Sequence, residues 1–226
     1  IRTPAIVSVY PNSASYAQRS SVTIWGAHLP SSASSVYTCQ FGLLAPSVCV
    51  FVNSTALSCS LPEVPTHFQS QNLKLYVQIY LNGNTIQNTD IMFTFTKGII
   101  VDSIDPSQGH SGGLYSVTVH GIHFADSANL KCRFGTKVSN AVWVSESKIT
   151  CISPPAPRLG TVKLGVSNNA LDFEEAHGGF TYMAVPHIES LIPAHGVSHG
   201  GTRVLLIGTG FWPAVGLKCQ FEHVFT

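Results

Sequence analysis

Residues 117–124 read VTVHGIHF, residues 132–135 read CRFG, and another cysteine follows at Cys151. The alternation of apolar and polar residues predicts a strand that ends in a tight turn at Gly121, a second strand that carries Cys132 and a later strand that carries Cys151. The same ordered set of signals occurs three times in the chain, so we interpret the rest of the sequence by comparison with this copy.

The repeat is marked by a glycine at the end of one strand and a cysteine in the next. The equivalent positions lie 87–95 residues apart, at Gly26, Gly121 and Gly208 and at Cys39, Cys132 and Cys219. A unit of about ninety residues is too long for a solenoid repeat and suits one small β domain. We therefore predict one domain at residues 1–97, a second at 98–183 and the N-terminal part of a third, incomplete domain at 184–226.

The short segments between the copies predict a semi-rigid array, because linkers of two to four residues leave little angular freedom. The third copy stops shortly after its first cysteine, before its closing strands. A lone pair of strands cannot bury its apolar face. We therefore expect the chain to be an excerpt of a longer repetitive protein.

Composition limits the class of protein. Charged residues make up 10% of the chain and the net charge is +1, whereas about a quarter of an ordinary domain is charged. This balance excludes the basic stripe that nucleic-acid binding needs, and no apolar run reaches the roughly 18 residues of a membrane span. Apolar residues alternate in short runs between Gly, Pro, Asn and Ser clusters, which predicts an all-β fold of tandem sandwiches.

Two pairs of cysteines recur at equivalent positions. Cys39 and Cys59 are 20 residues apart, and Cys132 and Cys151 are 19 apart. The recurrence predicts one intradomain disulfide in each copy, which would stabilise each domain by about 3 kcal/mol, mainly by constraining the unfolded chain. Buried free thiols are the alternative.

Two cysteines have no partner in the repeat. Cys49 aligns with Ala141 of the second copy, so we interpret it as a small buried side chain, with a crosslink as the alternative. The repeat position that would pair with Cys219 lies beyond Thr226.

Asn53-Ser54-Thr55 is an N-glycosylation sequon in a predicted turn, aligned with Ser145-Glu146-Ser147 of the second copy. A secreted, disulfide-bonded protein would expose such a turn to the glycosylation machinery. We predict an N-glycan on Asn53, the alternative being an unmodified surface turn.

No pattern in the chain predicts catalysis or a bound metal. His120 and His123 form an H-x-x-H pair, but on a strand and turn they would not share the face that two metal ligands require. The glycine-rich residues 109–113 lack the lysine and following helix of a phosphate loop. We therefore predict a protein without enzymatic activity, metal or cofactor.

The strand before each motif glycine shows which side chains face outward. Alternation places Val22 and Ile24 inward and leaves Trp25 outward. In the third copy it leaves Leu205 and Ile207 outward, where a sandwich usually has polar residues. These three residues either pack beneath a loop or at the domain junction, or they meet a neighbouring domain or chain, and we treat them as candidate interface residues.

The repeated motifs resemble those of the IPT/TIG family of immunoglobulin-like domains. The resemblance rests on Ile-x-Pro-x-x-Gly at residues 104–109, Gly-Gly at 112–113, Gly-x-x-Phe at 121–124, Cys-x-Phe-Gly at 132–135 and a cysteine before proline at 151–154. The first copy departs at Leu29, where the other copies have phenylalanine, and the third departs at Glu222, where the motif has glycine. The resemblance implies a β-sandwich; the family includes ectodomains of plexin-like and scatter-factor-type receptors, fibrocystin-like and microbial surface proteins, and DNA-binding transcription factors. Sparse charge and paired cysteines disfavour the last.

We interpret the chain as a non-enzymatic, extracellular structural or adhesion protein whose tandem domains act as spacers and contact surfaces. Its partners would be neighbouring domains or copies of a longer repeat protein, and a component of a surface fibre or appendage is a specific version of this interpretation. The low charge supports it, because a free rod would ordinarily carry more charge to remain soluble. The alternatives are the stalk of a plexin-like or scatter-factor-type receptor ectodomain and, as a weaker one, an accessory carbohydrate-binding module.

Overall fold

A computed structural model describes residues 3–17, 21–86, 90–212 and 218–221 and the backbone of residues 224–225. Across this part of the chain the structure consists of strands, connecting loops and one 3-10 turn at Thr66–Phe68, with no α-helix. The all-β prediction is therefore confirmed. The departure at Glu222 lies outside the described residues.

The strands follow one another in three sets that correspond to the three copies. The first set is β1 (Ala5–Tyr10), β2 (Ser13–Ser15), β3 (Ser21–Ala27), β4 (Tyr37–Phe41), β5 (Ser47–Asn53), β6 (Ala56–Ser60), β7 (Leu73–Leu81), β8 (Asn84–Ile86) and β9 (Met92–Thr96). The second is β10 (Ile100–Asp105), β11 (Gln108–His110), β12 (Ser116–Ile122), β13 (Lys131–Phe134), β14 (Lys137–Ser145), β15 (Lys148–Ile152), β16 (Gly160–Val162), β17 (Leu164–Ser167), β18 (Glu174–Glu175) and β19 (Phe180–Met183). The third is β20 (His187–Ile192), β21 (Leu205–Thr209), β22 (Gln220–Phe221) and β23 (Val224–Phe225).

The first two copies share one topology. Strands pair in the order β1-β3-β6-β5-β4-β7-β9-β2 in the first copy and β10-β12-β15-β14-β13-β17-β18 in the second, where β11-β19-β16 forms a separate sheet. In each copy one strand joins the two layers: the first part of β5 pairs with β4, and its later part pairs with β6. Strand β14 does the same between β13 and β15.

Each of these two copies encloses its own hydrophobic core. The predicted inward residues Val22 and Ile24, like Val117 and Val119, are at most 1% exposed. The phenylalanine of each Cys-x-Phe-Gly motif lies edge-on to an aromatic residue of the closing strand, Phe41 against Phe93 and Phe134 against Phe180. Such edge contacts add to the stabilisation from buried area.

The motif glycine lies within its strand, so the tight turn predicted at Gly121 is wrong. The partner strand has a bulge between Val101 and Ser103, and Gly121 lies opposite Val101. A Cβ on Gly121 would be 2.1 Å from the carbonyl oxygen of Ile100, which leaves space for hydrogen alone. The reversal follows at His123, which adopts a left-handed φ of 66°.

The other copies repeat this arrangement. Gly26 and Gly208 lie opposite the equivalent bulges, and a Cβ would be 2.6 Å and 1.9 Å from the carbonyl oxygens of Ala5 and His187. A left-handed residue again follows two positions later, at His28 and Gly210. The third copy therefore enters the same fold with the same register.

None of the described residues forms a helix with the length and apolar character needed to span a bilayer.

Candidate functional site

The structure forms one of the two predicted disulfides and replaces the other. Cys132 and Cys151 are bonded as predicted. In the first copy Cys59 is bonded to Cys49, and Cys39 is a buried free thiol. The predicted Cys39–Cys59 bond is therefore wrong in this structure, and so is the interpretation of Cys49 as an unpaired side chain.

The strand register explains the exchange of partners. Cys49 lies directly opposite Cys59 in the β5–β6 pair, with their Cα atoms 4.2 Å apart. Side chains opposite each other in a narrow antiparallel pair point to the same face and lie close together. The second copy has Ala141 opposite Cys151, so there the partner comes from β13, across the sandwich.

Cys39 remains beside this disulfide. The sulfur atoms of Cys39, Cys49 and Cys59 all lie within 4.8 Å of one another. Burial raises the pKa of the Cys39 thiol to about 11, because a low-dielectric interior disfavours the thiolate. Within the described residues these cysteines are the single group of three metal-ligating side chains within reach of one another, and the disulfide removes two of them as ligands.

The two histidines of the H-x-x-H pair have separate surroundings. His120 is exposed on β12. The His123 ring nitrogen Nδ1 lies 2.8 Å from the carbonyl oxygen of Gly98, to which it can donate a hydrogen bond. His123 therefore connects the second copy to the linker that precedes it.

The predicted sequon forms the tip of the β5–β6 hairpin, and Asn53 is exposed there. The Asn53 side-chain oxygen Oδ1 accepts hydrogen bonds from the Thr55 backbone N–H at 2.8 Å and the Thr55 hydroxyl at 2.7 Å. Because an amide is planar and its two heteroatoms diverge, this arrangement turns the amide nitrogen of Asn53 away from Thr55.

Trp25 belongs to a surface that we call the outward face, and the described residues of this surface carry no charged side chain. The outward face is the side of β1, β3, β6 and β5 that points away from the first core, and Trp25 is 45% exposed on it. Its exposed apolar members are Val7, Tyr10, Trp25, Val50 and Val52. An exposed apolar cluster of this kind indicates a contact site when polar residues surround it.

At four positions of the outward face the second copy has charged or titratable residues where the first has apolar ones, whereas Val50 aligns with another exposed valine, Val142. The registers align Val7, Tyr10, Trp25 and Ala56 with Asp102, Asp105, His120 and Lys148. In the third copy the predicted outward residues Leu205 and Ile207 occupy the register positions of Thr23 and Trp25. Ile192, which pairs with Leu205, extends that apolar surface.

A polar contact joins the first two copies. The Asn169 side-chain nitrogen Nδ2 donates to the carbonyl oxygen of Ser13 at 2.8 Å. Its oxygen Oδ1 accepts hydrogen bonds from the backbone N–H groups of Leu171 and Asp172, each at 3.0 Å. Asn169 is buried, and these bonds within the loop of the second copy hold its side chain in position for the contact with the first copy.

Sequence reasoning missed two of these features. The contact of Asn169 with Ser13 left no signal, because the two residues are 156 positions apart and asparagine is common in turns. The contrast between the outward faces did leave a signal in the sequence. Aligning β1 with β10 brings Val7 and Tyr10 into register with two aspartates.

Comparison with known proteins supports the fold. The IPT/TIG domain matches residues 4–95 and 100–182. Human Fibrocystin-L is 26% identical over 215 residues, which cover 93% of this chain and 5% of that protein. Mouse Fibrocystin-L is 27% identical over 178 residues, covering 75% and 4%. The chain thus spans a small fraction of the length of these curated relatives.

A solved structure has the same architecture. The extracellular region of Plexin A4, domains 1 to 10, aligns with 100% of this chain and 22% of that one, with a TM-score of 0.52 and 16% identity. This likeness shows a shared fold. Because the two matched ranges account for most of its residues, the chain belongs to the IPT/TIG domain family.

Proposed function

We propose that the chain is part of a non-enzymatic extracellular protein whose tandem IPT/TIG domains serve as a semi-rigid spacer and as a protein contact surface. The partners are neighbouring copies of the same kind of domain in a longer repeat protein. The observation that carries the proposal is the cluster of exposed apolar side chains on the outward face of the first domain, together with its counterpart in the third copy.

The extracellular location is supported by the disulfides in both complete domains, because such bonds persist in oxidising compartments. The exposed sequon at Asn53 agrees with passage through the secretory route. The spacer role is supported by the bond between Asn169 and Ser13 and by the contact of His123 with Gly98.

The contact role follows from the properties of the outward face. Burying a single side chain such as Val7 or Leu205 contributes about 1.5–3 kcal/mol. Weak contacts of this size can order an array when they recur along it. They would recur if apolar and charged outward faces alternate from one copy to the next. A contact between unlike surfaces that does not close would extend such an array into a fibre.

The test converts the outward face of the first domain to that of the second. Val7→Asp, Tyr10→Asp and Trp25→His introduce side chains that the same fold already carries at these positions. Self-association of the intact chain is measured by sedimentation velocity over a concentration series. We expect the triple variant to lower the associated fraction several-fold.

Val142→Ser with Ile152→Ser is the matched control, because it removes exposed apolar side chains from the charged second domain. This control should associate like the unmodified chain. Equal association of the unmodified chain and the triple variant would show that the outward face of the first domain is not the contact surface.

A second candidate is the stalk of a receptor ectodomain, which the alignment of the whole chain with the Plexin A4 extracellular region favours. A stalk needs a rigid junction and no association through the outward face. The same experiment separates the two functions, since a stalk predicts equal sedimentation of the unmodified chain and the triple variant.

A further inference from the structure

We infer that an N-glycan on Asn53 lies across the outward face of the first domain, with its first N-acetylglucosamine packed against the indole of Trp25. The chain's own carbohydrate then covers the row of Trp25 and Ala56, and the next outward row, which contains Tyr10 and Val50, stays available for protein contacts together with Ile192, Leu205 and Ile207. The inference rests on the proposed extracellular location.

The strand register brings the two residues onto one row. Ala56 pairs with Trp25 on one side and with Asn53 on the other. Three adjacent strands place the outer two residues about 10 Å apart. A tryptophan side chain and an asparagine-linked sugar can meet over that separation, above Ala56.

The sequon hairpin is tied to the strand that carries Trp25. The backbone N–H of Gly26, the next residue, donates to the Thr55 carbonyl oxygen at 2.8 Å, and that of Leu29 donates to Ser54 at 2.9 Å. These bonds hold the glycosylation site at a set position beside the indole.

The Asn53 side chain is oriented for attachment. Because Oδ1 accepts both hydrogen bonds from Thr55, the amide nitrogen that would carry the sugar lies on the other side of the group. Asn53 as a whole is exposed, so solvent reaches its side chain.

The receiving surface suits a sugar ring. The C–H face of a pyranose packs on an indole through dispersion and the quadrupole of the ring. Ala56 is 2% exposed although its register position is outward, so larger neighbours overlie it, and Trp25 is the largest in its row. The neighbouring outward positions carry hydroxyl groups, at Ser8, Thr23 and Ser58.

The second domain supplies a matched control within the same chain. Its hairpin has Ser145-Glu146-Ser147 at the sequon position, and its strand has His120 at the position of Trp25. The same two backbone bonds occur there, from Gly121 to Ser147 and from Phe124 to Glu146. Lys148 stands in the place of Ala56 between these two positions. Ser145→Asn together with Lys148→Ala therefore creates a sequon in a matched row without the indole at the position of Trp25.

The experiment uses the whole chain secreted from glycosylating cells and trimmed with an endoglycosidase to one N-acetylglucosamine. Glycopeptide mass spectrometry measures occupancy at Asn53. Nuclear Overhauser contacts between sugar protons and the Trp25 indole, and the Tm of occupied and Asn53→Gln chains, report the packing. We expect sugar–indole contacts and a higher Tm on glycosylation, with the Tm gain lost in Trp25→His.

The transplant repeats the comparison in the second domain. In the Lys148→Ala background, a glycan at Ser145→Asn should leave the Tm unchanged beside His120 and raise it beside His120→Trp. An unoccupied Asn53 in secreted protein would overturn the inference. So would an occupied Asn53 without sugar–indole contacts and with the same Tm gain in Trp25→His; that result would leave the proposed spacer and contact roles standing.

Discussion

Cys39 is a buried thiol next to a disulfide, and its neighbours determine its chemistry. Its sulfur is close to those of Cys49 and Cys59, yet one bond can form among three cysteines. The directly opposed pair in adjacent strands forms it, and Cys39 remains protonated because burial raises its pKa to about 11. A thiol in this state is a poor nucleophile, since the thiolate is the reactive form.

Replacing Cys39 with alanine should flatten the alkaline part of the stability profile. The unfolded thiol has a pKa of about 8.5, so the unfolded chain loses this proton first as the pH rises. The unmodified chain should therefore lose up to about 3 kcal/mol of unfolding free energy between pH 8.5 and 11 relative to Cys39→Ala. Urea unfolding at a series of pH values measures this difference, and peptide mapping checks that the disulfides remain intact. Parallel profiles for the two proteins would contradict the buried neutral thiol.

The strand pair with its bulge is the element that repeats most faithfully. In all three copies a glycine lies opposite the bulge, and the partner's carbonyl oxygen occupies the space of a side chain. The sequence predicted the recurrence of this glycine but assigned it to a turn. A glycine that allows close approach within a strand and one that adopts a positive φ look alike in a sequence.

Gly121→Ala should destabilise the second domain by about 1–3 kcal/mol, because the new methyl would overlap the carbonyl group of Ile100. Gly98→Ala is the control, since a Cβ on this linker glycine meets no atom within 4 Å. Thermal unfolding of the whole chain measures both variants. Equal Tm values for Gly121→Ala and Gly98→Ala would show that the approach opposite the bulge does not require glycine.

At the scale of the molecule, the sequence predicted more of the domains than of the surfaces between them. Period-two alternation and the recurring motifs were enough for two all-β domains, and the spacing identified Cys132 with Cys151. The Cys49–Cys59 bond was missed because β5 changes its partner from β4 to β6 at Cys49, and the spacing of the cysteines does not reveal this change. The contact between Asn169 and Ser13 was missed because it depends on the relative placement of two domains, which no local pattern encodes.

Asn169→Ala should loosen the junction between the first two domains. It removes the hydrogen bond to the Ser13 carbonyl oxygen and leaves the short linker as the main restraint on the relative placement of the two domains. Residual dipolar couplings of the intact chain measure the effect: one alignment tensor should describe both domains of the unmodified protein, and two different tensors should be needed for the variant.

Asn168→Ala is the control for this measurement. Asn168 has the same side chain, but its bonds to the His123 carbonyl oxygen and the Ala125 backbone N–H stay within the second domain. If the junction depends on the bond to Ser13, only Asn169→Ala separates the tensors. A single tensor in Asn169→Ala would mean that the short linker holds the domains without the bond to Ser13. Equal separation in both variants would mean that the junction depends on the loop of the second domain as a whole, and that the interdomain hydrogen bond has no special part in the stiffness of the array.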